Sequence, residues 1–321
     1  MATDIFDAEL RWPAVIARTL MHPWPWYFRM MAAISKTTRG MPLKGLSGEE
    51  VGIPRSGENS RIRTRIYKRF GSQGSVPALL YLHGGGYFMG SPEVFGPSIR
   101  SFIETRDCIV IAPDYRKSFE APYPAAIDDC YDTLVWIKKN AQALGVRDDQ
   151  IMVAGHSAGG GLTAALTLRA RDRGEVNIAF QMPIYPMIDD RMLTESARDN
   201  HAPLWNSKLN ALGWALYLRD LQQRQQSIPY DAAPARARDY SNLPPTMTFV
   251  GELEPFRDET IAYVENLRAA GVPVEFTVFK GCFHGFDIFA TSATVSKRAA
   301  EFAMKSFSRA VANYFAPQPD S

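Results

Sequence analysis

The sequence predicts an α/β fold, a mostly parallel central sheet flanked by helices, and three observations predict it. From Val76 onward, short apolar runs alternate with helical patterns. That rhythm builds a parallel sheet covered on both faces. The apolar run Val76–Leu82 ends in a glycine-rich turn, His83-Gly84-Gly85-Gly86. A second apolar run, residues 151–154, ends in Gly155-His156-Ser157-Ala158-Gly159, a G-x-S-x-G elbow that leads into a helical pattern.

Taken in order, residues 61–67 and their neighbours read as antiparallel edge strands. Val76–Leu82 is too short for a helix and reads as a buried strand. Residues 108–112 form another. Residues 127–140 read as a helix with Ile127, Tyr131, Leu134 and Val135 on one face. Residues 151–154 are the strand before the elbow, and 158–168 read as a helix despite its glycines. Residues 178–184, 246–250 and 274–279 supply three further strands. Val295, Ala299, Phe302, Ala303, Ala310 and Tyr314 share one face of a final helix. Two segments do not follow this rhythm, residues 1–48 and 187–237, the latter with a helical run at 209–221. The division predicted is therefore 1–48 as the N-terminal part of a cap, 49–186 as the first half of the core, 187–237 as a cap insertion and 238–321 as the second half.

The two glycine-containing motifs describe one task, acyl transfer. A serine at a strand-to-helix turn attacks a carbonyl, and backbone N–H groups stabilise the oxygen that becomes negative. Gly155 and Gly159 remove Cβ atoms from a tight turn. The helix behind Ser157 points its N–H dipoles at the site. Ala158 is the expected first oxyanion donor, and Gly84, Gly85 and Gly86 supply the others.

Ser157 needs a base, and five histidines are available. His83 and His156 lie inside the motifs, where the geometry points them away from the serine oxygen. His22 sits in an aromatic segment and His201 in a polar loop. His284 follows the strand-like run Val274–Phe279, where a Ser–acid–His chain order places the base. The acid is expected after the run 246–250, in Gly251-Glu252-Leu253-Glu254-Pro255-Phe256-Arg257-Asp258-Glu259. Asp258 and Glu259 open the next helix and read as dipole partners. The residues alone do not separate Glu252 from Glu254.

With these motifs the chain resembles the hormone-sensitive-lipase-like carboxylesterases (bacterial family IV) of the α/β-hydrolase superfamily. The likeness runs from about Ala78 to Phe286. It rests on H-G-G-G, Asp114-Tyr115-Arg116 with Pro122-Tyr123-Pro124-Ala125-Ala126, G-H-S-A-G-G, Gly271-Val272-Pro273-Val274-Glu275 and His284-Gly285-Phe286. The resemblance implies an α/β-hydrolase fold with a helical cap, and hydrolysis of short to medium acyl esters by a Ser–acid–His triad, without metal or cofactor. It also selects the acid. The family string D-P-L-R-D-E reads Glu254-Pro255-Phe256-Arg257-Asp258-Glu259 here, so the triad implied is Ser157, His284 and Glu254, with Glu in place of Asp. His156 stands where the family has Asp or Thr, and Phe119 where it has Pro. Asp114 and Arg116 are expected to brace the oxyanion loop. In the family, the two irregular segments meet over the site as a cap. Tyr87, Phe88, Tyr185, Ile188, Trp205, Trp214 and Phe283 are the candidate pocket residues. Similar proteins are commonly dimers, so a homodimer is the expected assembly.

Two rival functions share this fold. An amidase or arylformamidase uses the same machinery on a different bond. A non-catalytic small-molecule receptor loses the histidine, which here is present.

Composition narrows the partners. The chain has 321 residues, 46% of them apolar, and a net charge of +2 from 36 basic and 34 acidic residues. No basic arm or face stands out, which argues against nucleic acid. Cys108, Cys130 and Cys282 are widely spaced and odd in number, which argues against a disulfide framework or a metal knuckle and for the cytoplasm. Cys282 lies two residues before His284 but has no elbow around it. The acidic N-terminus lacks a signal-peptide pattern. Prolines and arginines interrupt the aromatic stretch 10–34, which therefore does not read as a membrane span.

Overall fold

The computed structural model describes residues 5–20, 24–72 and 74–319. His22 and the first four residues lie outside the described residues. The strands are β1 (Leu46–Pro54), β2 (Arg61–Arg69), β3 (Val76–Leu82), β4 (Ile109–Pro113), β5 (Val146–His156), β6 (Phe180–Ile184), β7 (Thr246–Gly251) and β8 (Val274–Phe279). The helices are α1 (Arg11–Leu20), α2 (Pro25–Thr37), α3 (Gly96–Thr105), α4 (Ala125–Lys139), α5 (Ala141–Leu144), α6 (Ala158–Arg173), α7 (Glu195–Arg198), α8 (Ser207–Tyr217), α9 (Arg219–Gln223), α10 (Arg257–Ala269), α11 (Phe286–Phe289) and α12 (Thr294–Asn313).

The strands form one eight-stranded sheet in the order β1-β2-β4-β3-β5-β6-β7-β8. β1 and β2 run antiparallel, as does the β2–β4 pair, and the other pairs are parallel. β3 and β5 lie side by side, with Leu82 opposite Gly155. This register places the glycine-rich turn after β3 next to the elbow after β5. Both sit at the carboxyl ends of parallel strands, where ligands bind in open α/β sheets. β3, β4, β6 and β7 are buried almost throughout, which is why they read as continuous apolar runs rather than alternations.

Several boundaries differ from the sequence reading. β5 begins five residues before the apolar run, because its first half carries Arg147, Asp148 and Asp149. The helical run at 209–221 divides at Leu218 into α8 and α9. β1 starts at Leu46 and pairs with β2, so the sheet reaches into the segment assigned to the N-terminal cap.

α6 packs so close to the sheet that a Cβ at Gly159 would stand 2.0 Å from the carbonyl oxygen of Leu82, and one at Gly155 would stand 2.3 Å from that of Gly159. The small residues of the elbow thus let strand and helix backbones touch at the turn.

Candidate active site

Ser157 caps α6 with φ 59° and ψ −119°, a sparsely populated conformation for a residue with a side chain. Its backbone is held from both sides. Its N–H donates to the carbonyl of Ile184 at 3.0 Å, and its carbonyl accepts from Gly161 at 2.9 Å and Met187 at 3.1 Å. The strained turn lifts Oγ toward the loop after β8. There, His284 Nε2 lies 2.8 Å from Ser157 Oγ, and His284 Nδ1 lies 2.5 Å from Glu254 Oε2. An ionised carboxylate only accepts. The partners therefore assign the proton to Nδ1 and leave the Nε2 lone pair facing the serine hydroxyl, which donates. Glu254 is fully buried, and Ser157 and His284 are 8% and 7% exposed.

Glu254 is held by its own turn as well, with Oε1 accepting the N–H of Gly251 at 2.7 Å. Glu252 faces elsewhere, and its Oε2 accepts the N–H of Gly281 at 2.9 Å. The structure thus brings Glu254, not Glu252, to His284. Asp258 and Glu259 lie in the first turn of α10, as the sequence reading has them, and both also reach beyond the helix. Asp258 takes the N–H of Ser196 at 2.8 Å, and the buried Glu259 takes that of Ile188 at 2.8 Å. Both pin the segment after β6. Burial raises the Glu259 carboxyl well above the usual range.

Gly85 and Gly86 have φ of 126° and 58°, values open to glycine at no cost. Among the described residues no acceptor takes the N–H of Gly85, Gly86 or Ala158. Gly84, Gly85 and Gly86 line the same cavity as Ser157 and His284. The turn is braced from behind by Tyr115, whose hydroxyl donates to the His83 carbonyl at 2.7 Å and whose ring stacks on His83 at 4.2 Å. The sequence reading gave this bracing to Asp114 and Arg116. Instead, Asp114 pairs with Arg39, Arg63 and Lys117, and Arg116 pairs with Asp129.

The cavity has a volume of about 520 Å³ and a mainly apolar wall. Of the seven pocket candidates, Tyr185 and Trp205 line it. The other five do not. Tyr87, Phe88, Trp214 and Phe283 are buried in the main core, and Ile188 lies in a second cluster with Leu168 and Tyr263. Their aromatic or branched side chains fill space behind the wall, a role that composition does not separate from lining. The residues missed include Met31, Ile34, Ser35 and Thr38 of the N-terminal segment, with Met89, Leu204, Ile288 and Phe289. The three- and four-residue spacing of Met31, Ile34, Ser35 and Thr38 is the available signal. Both irregular segments therefore reach the cavity, α2 from one and Leu204-Trp205 from the other.

His156 points away from Ser157. Its Nδ1 lies 2.8 Å from the Tyr81 hydroxyl and its Nε2 4.0 Å from Asp287. Burial, with a smaller contribution from His284, lowers its pKa to about 3, so it is neutral. Burial raises the Asp287 carboxyl to about 6. Cys282 is a free, buried thiol whose pKa burial pushes up, the reverse of what a nucleophilic thiolate needs. Among the described residues no cluster of side chains has the make-up of a metal site, and no helix is long and apolar enough to cross a membrane.

Comparison with known proteins agrees with this fold. A family model described as alpha/beta hydrolase fold matches residues 79–288. Esterase LipI of Mycobacterium tuberculosis is 35% identical over 259 residues, covering 79% of this chain and 80% of its own. Carboxylesterase NlhH of the same organism is 33% identical over 252 residues, 78% of this chain and 79% of its own. Among solved structures, a bacterial heroin esterase superposes with a TM-score of 0.86 at 33% identity, covering 97% of this chain and 99% of that one. A hyperthermophilic esterase from the archaeon Pyrobaculum calidifontis gives 0.81 at 30% identity, with 95% and 99% covered. By sequence and by fold, this chain belongs to the α/β-hydrolase family, in its hormone-sensitive-lipase-like branch of serine ester hydrolases.

Proposed function

We propose that the protein hydrolyses carboxylic esters of short to medium acyl chains through Ser157, His284 and Glu254. The observation that carries this reading is the unbroken line from Ser157 Oγ through both His284 ring nitrogens to Glu254 Oε2, opening on one apolar cavity. Ser157 Oγ attacks the ester carbonyl and its proton passes to His284 Nε2. The Glu254 carboxylate holds the ring in the required tautomer and stabilises the imidazolium. The carbonyl oxygen becomes negative against the N–H groups of Gly85, Gly86 and Ala158, with Gly84 shaping the same turn. When the C–O bond breaks, His284 Nε2 returns the proton to the leaving alcohol. Water, deprotonated by the same nitrogen, then releases the acid from the serine.

Several features support the substrate class. The cavity is of the size that encloses a small organic molecule, and Trp205 and Tyr185 line it beside His284, with ring centroids 6.3 and 4.8 Å from the imidazole. The relatives are named for ester hydrolysis, and no feature of the site favours an amide over an ester. The test is a series of p-nitrophenyl esters of increasing chain length beside matched formamides, with a phosphonate to trap the nucleophile. Turnover peaking at short or medium esters and a phosphonate adduct on Ser157 are expected. Faster formamide turnover, or an adduct elsewhere, overturns the reading.

A further inference from the structure

The N-terminal helices carry rows of exposed apolar side chains. α1 buries Ala14 and Ala17, while Trp12, Val15, Ile16 and Leu20 are exposed, Trp12 by 78%. Their spacing of three, four and eight residues from Trp12 makes one stripe down the helix. On α2, Trp26, Met30 and Ile34 are exposed at successive four-residue steps. A single exposed apolar side chain is ordinary, but rows of large ones on consecutive helices mark an interaction surface.

The charge of this segment says what the surface meets. From Leu10 to Gly48 the sequence holds no Asp or Glu, while Arg11, Arg18, Arg29, Lys36, Arg39 and Lys44 give it six cations. The chain's net charge of +2 is therefore a strip of +6 set against a remainder of −4. Arg39 and Lys36 are spent on anchorage, pairing with Asp114 at 2.7 Å and Glu120 at 2.9 Å. The N–H of Gly40 adds a bond to Glu93 at 2.9 Å. Arg18 and Arg29 instead lie over the Phe6 and Phe119 rings, each at 5.6 Å. Among the described residues neither pairs with a carboxylate.

Tryptophan beside arginine on a helix with an exposed apolar stripe is the composition of a surface that lies in the headgroup layer of a bilayer. The cations select anionic headgroups. We propose that the α1–α2 surface docks on an anionic phospholipid membrane. Because Met31, Ile34 and Ser35 of α2, with Thr38 at its end, line the cavity, docking sets the cavity beside the lipid surface. The site then draws ester substrates partitioned into that surface, a second clause that rests on the ester-hydrolase reading.

The test is co-sedimentation of the full chain with vesicles of phosphatidylglycerol and phosphatidylcholine, and with phosphatidylcholine alone. Binding to the anionic vesicles is expected to be at least about tenfold tighter and to weaken with salt. The double variant Trp12→Glu/Ile16→Glu is expected to lose it while keeping turnover of a water-soluble acetate ester, which shows that it is folded. Arg18→Gln/Arg29→Gln is expected to reduce the preference for anionic lipid. Ser157→Ala is expected to bind vesicles as the parent does, so a failure of the catalytic reading is told apart from a failure of docking. Equal binding by Trp12→Glu/Ile16→Glu, or no binding to either vesicle, overturns the proposal. So does a dimer by light scattering that the same double variant splits without any vesicle binding, since the stripe then joins two copies of the chain.

Discussion

The Glu254 carboxylate is tethered to Gly251 three residues earlier, Oε1 accepting the Gly251 N–H at 2.7 Å while Oε2 meets His284. This tether accommodates a glutamate where the family string implies an aspartate. The extra methylene is taken up by folding the side chain back over its own turn, so one oxygen is fixed by backbone and the other is left for the imidazole. Gly251 suits the close approach, since a Cβ there would stand 2.5 Å from the Cys282 carbonyl oxygen and 3.1 Å from Glu254 Oε1.

Shortening or neutralising this acid therefore has separate expected outcomes. Glu254→Gln removes the charge opposite the imidazolium and is expected to lower kcat by about 10⁴. Glu254→Asp keeps the charge but cannot span both partners, and a loss of roughly tenfold to a hundredfold is expected. Glu252→Gln leaves the His284 contact intact and is expected to stay within a few-fold of the parent. Steady-state kinetics on one acetate ester check all three, and a larger loss from Glu252→Gln than from Glu254→Gln would move the acid.

Ser157→Ala removes the proposed nucleophile and is expected to leave the packing of β5 and α6 unchanged. Ester turnover is expected to vanish with the thermal unfolding curve close to that of the parent. Undiminished turnover falsifies the assignment of the serine.

The proposed oxyanion turn is sensitive to a single methyl group. A Cβ at Gly86 would stand 2.3 Å from Cη2 of Trp205, and φ there is 58°. Gly86→Ala is expected to displace the N–H donors and cost about 2.7–4 kcal/mol of barrier, roughly two to three decades in kcat. Trp205→Ala, by contrast, removes part of the cavity wall. Its expected mark is a shift of preference toward longer acyl chains, read as the ratio of kcat/KM for octanoate and acetate esters.

Acid is expected to destabilise the fold through two buried neutral histidines. Burial brings His83 and His156 each to about 3 from the ordinary 6.5. Below pH 6.5 the unfolded chain takes up protons at these positions that the folded chain does not, so their contribution to stability is complete above 6.5 and is lost as pH falls toward 3. Each histidine adds about 1.4 kcal/mol per pH unit within that window. His156→Gln is expected to flatten the decline by that amount, measured by urea unfolding at pH 6, 5 and 4. An unchanged slope would place His156 outside the acid response.

Much of this protein was legible along the chain because the informative signals are local. A buried parallel strand must be apolar throughout, so β3, β4 and β7 stood out. A strained turn needs glycines at fixed offsets, so Ser157 and the oxyanion turn stood out as well. The position of His284 after β8 followed from chain order. What depends on three-dimensional neighbours was not legible. Glu252 and Glu254 are chemically alike and two residues apart, and bottom-up only the direction each carboxylate takes across the turn separates them. Buried aromatics look the same whether they face a cavity or fill the space behind it, so Tyr185 and Trp205 became wall while Tyr87, Phe88, Trp214 and Phe283 became core. The contribution of α2 to the cavity wall arises from packing against residues far along the chain, such as Phe88 and Glu120. Sequence determines which groups are able to react and in what local shape. The tertiary fold alone decides which of them meet, because meeting is set by the register of β3 on β5 and by the loops that β7 and β8 extend over the same end of the sheet.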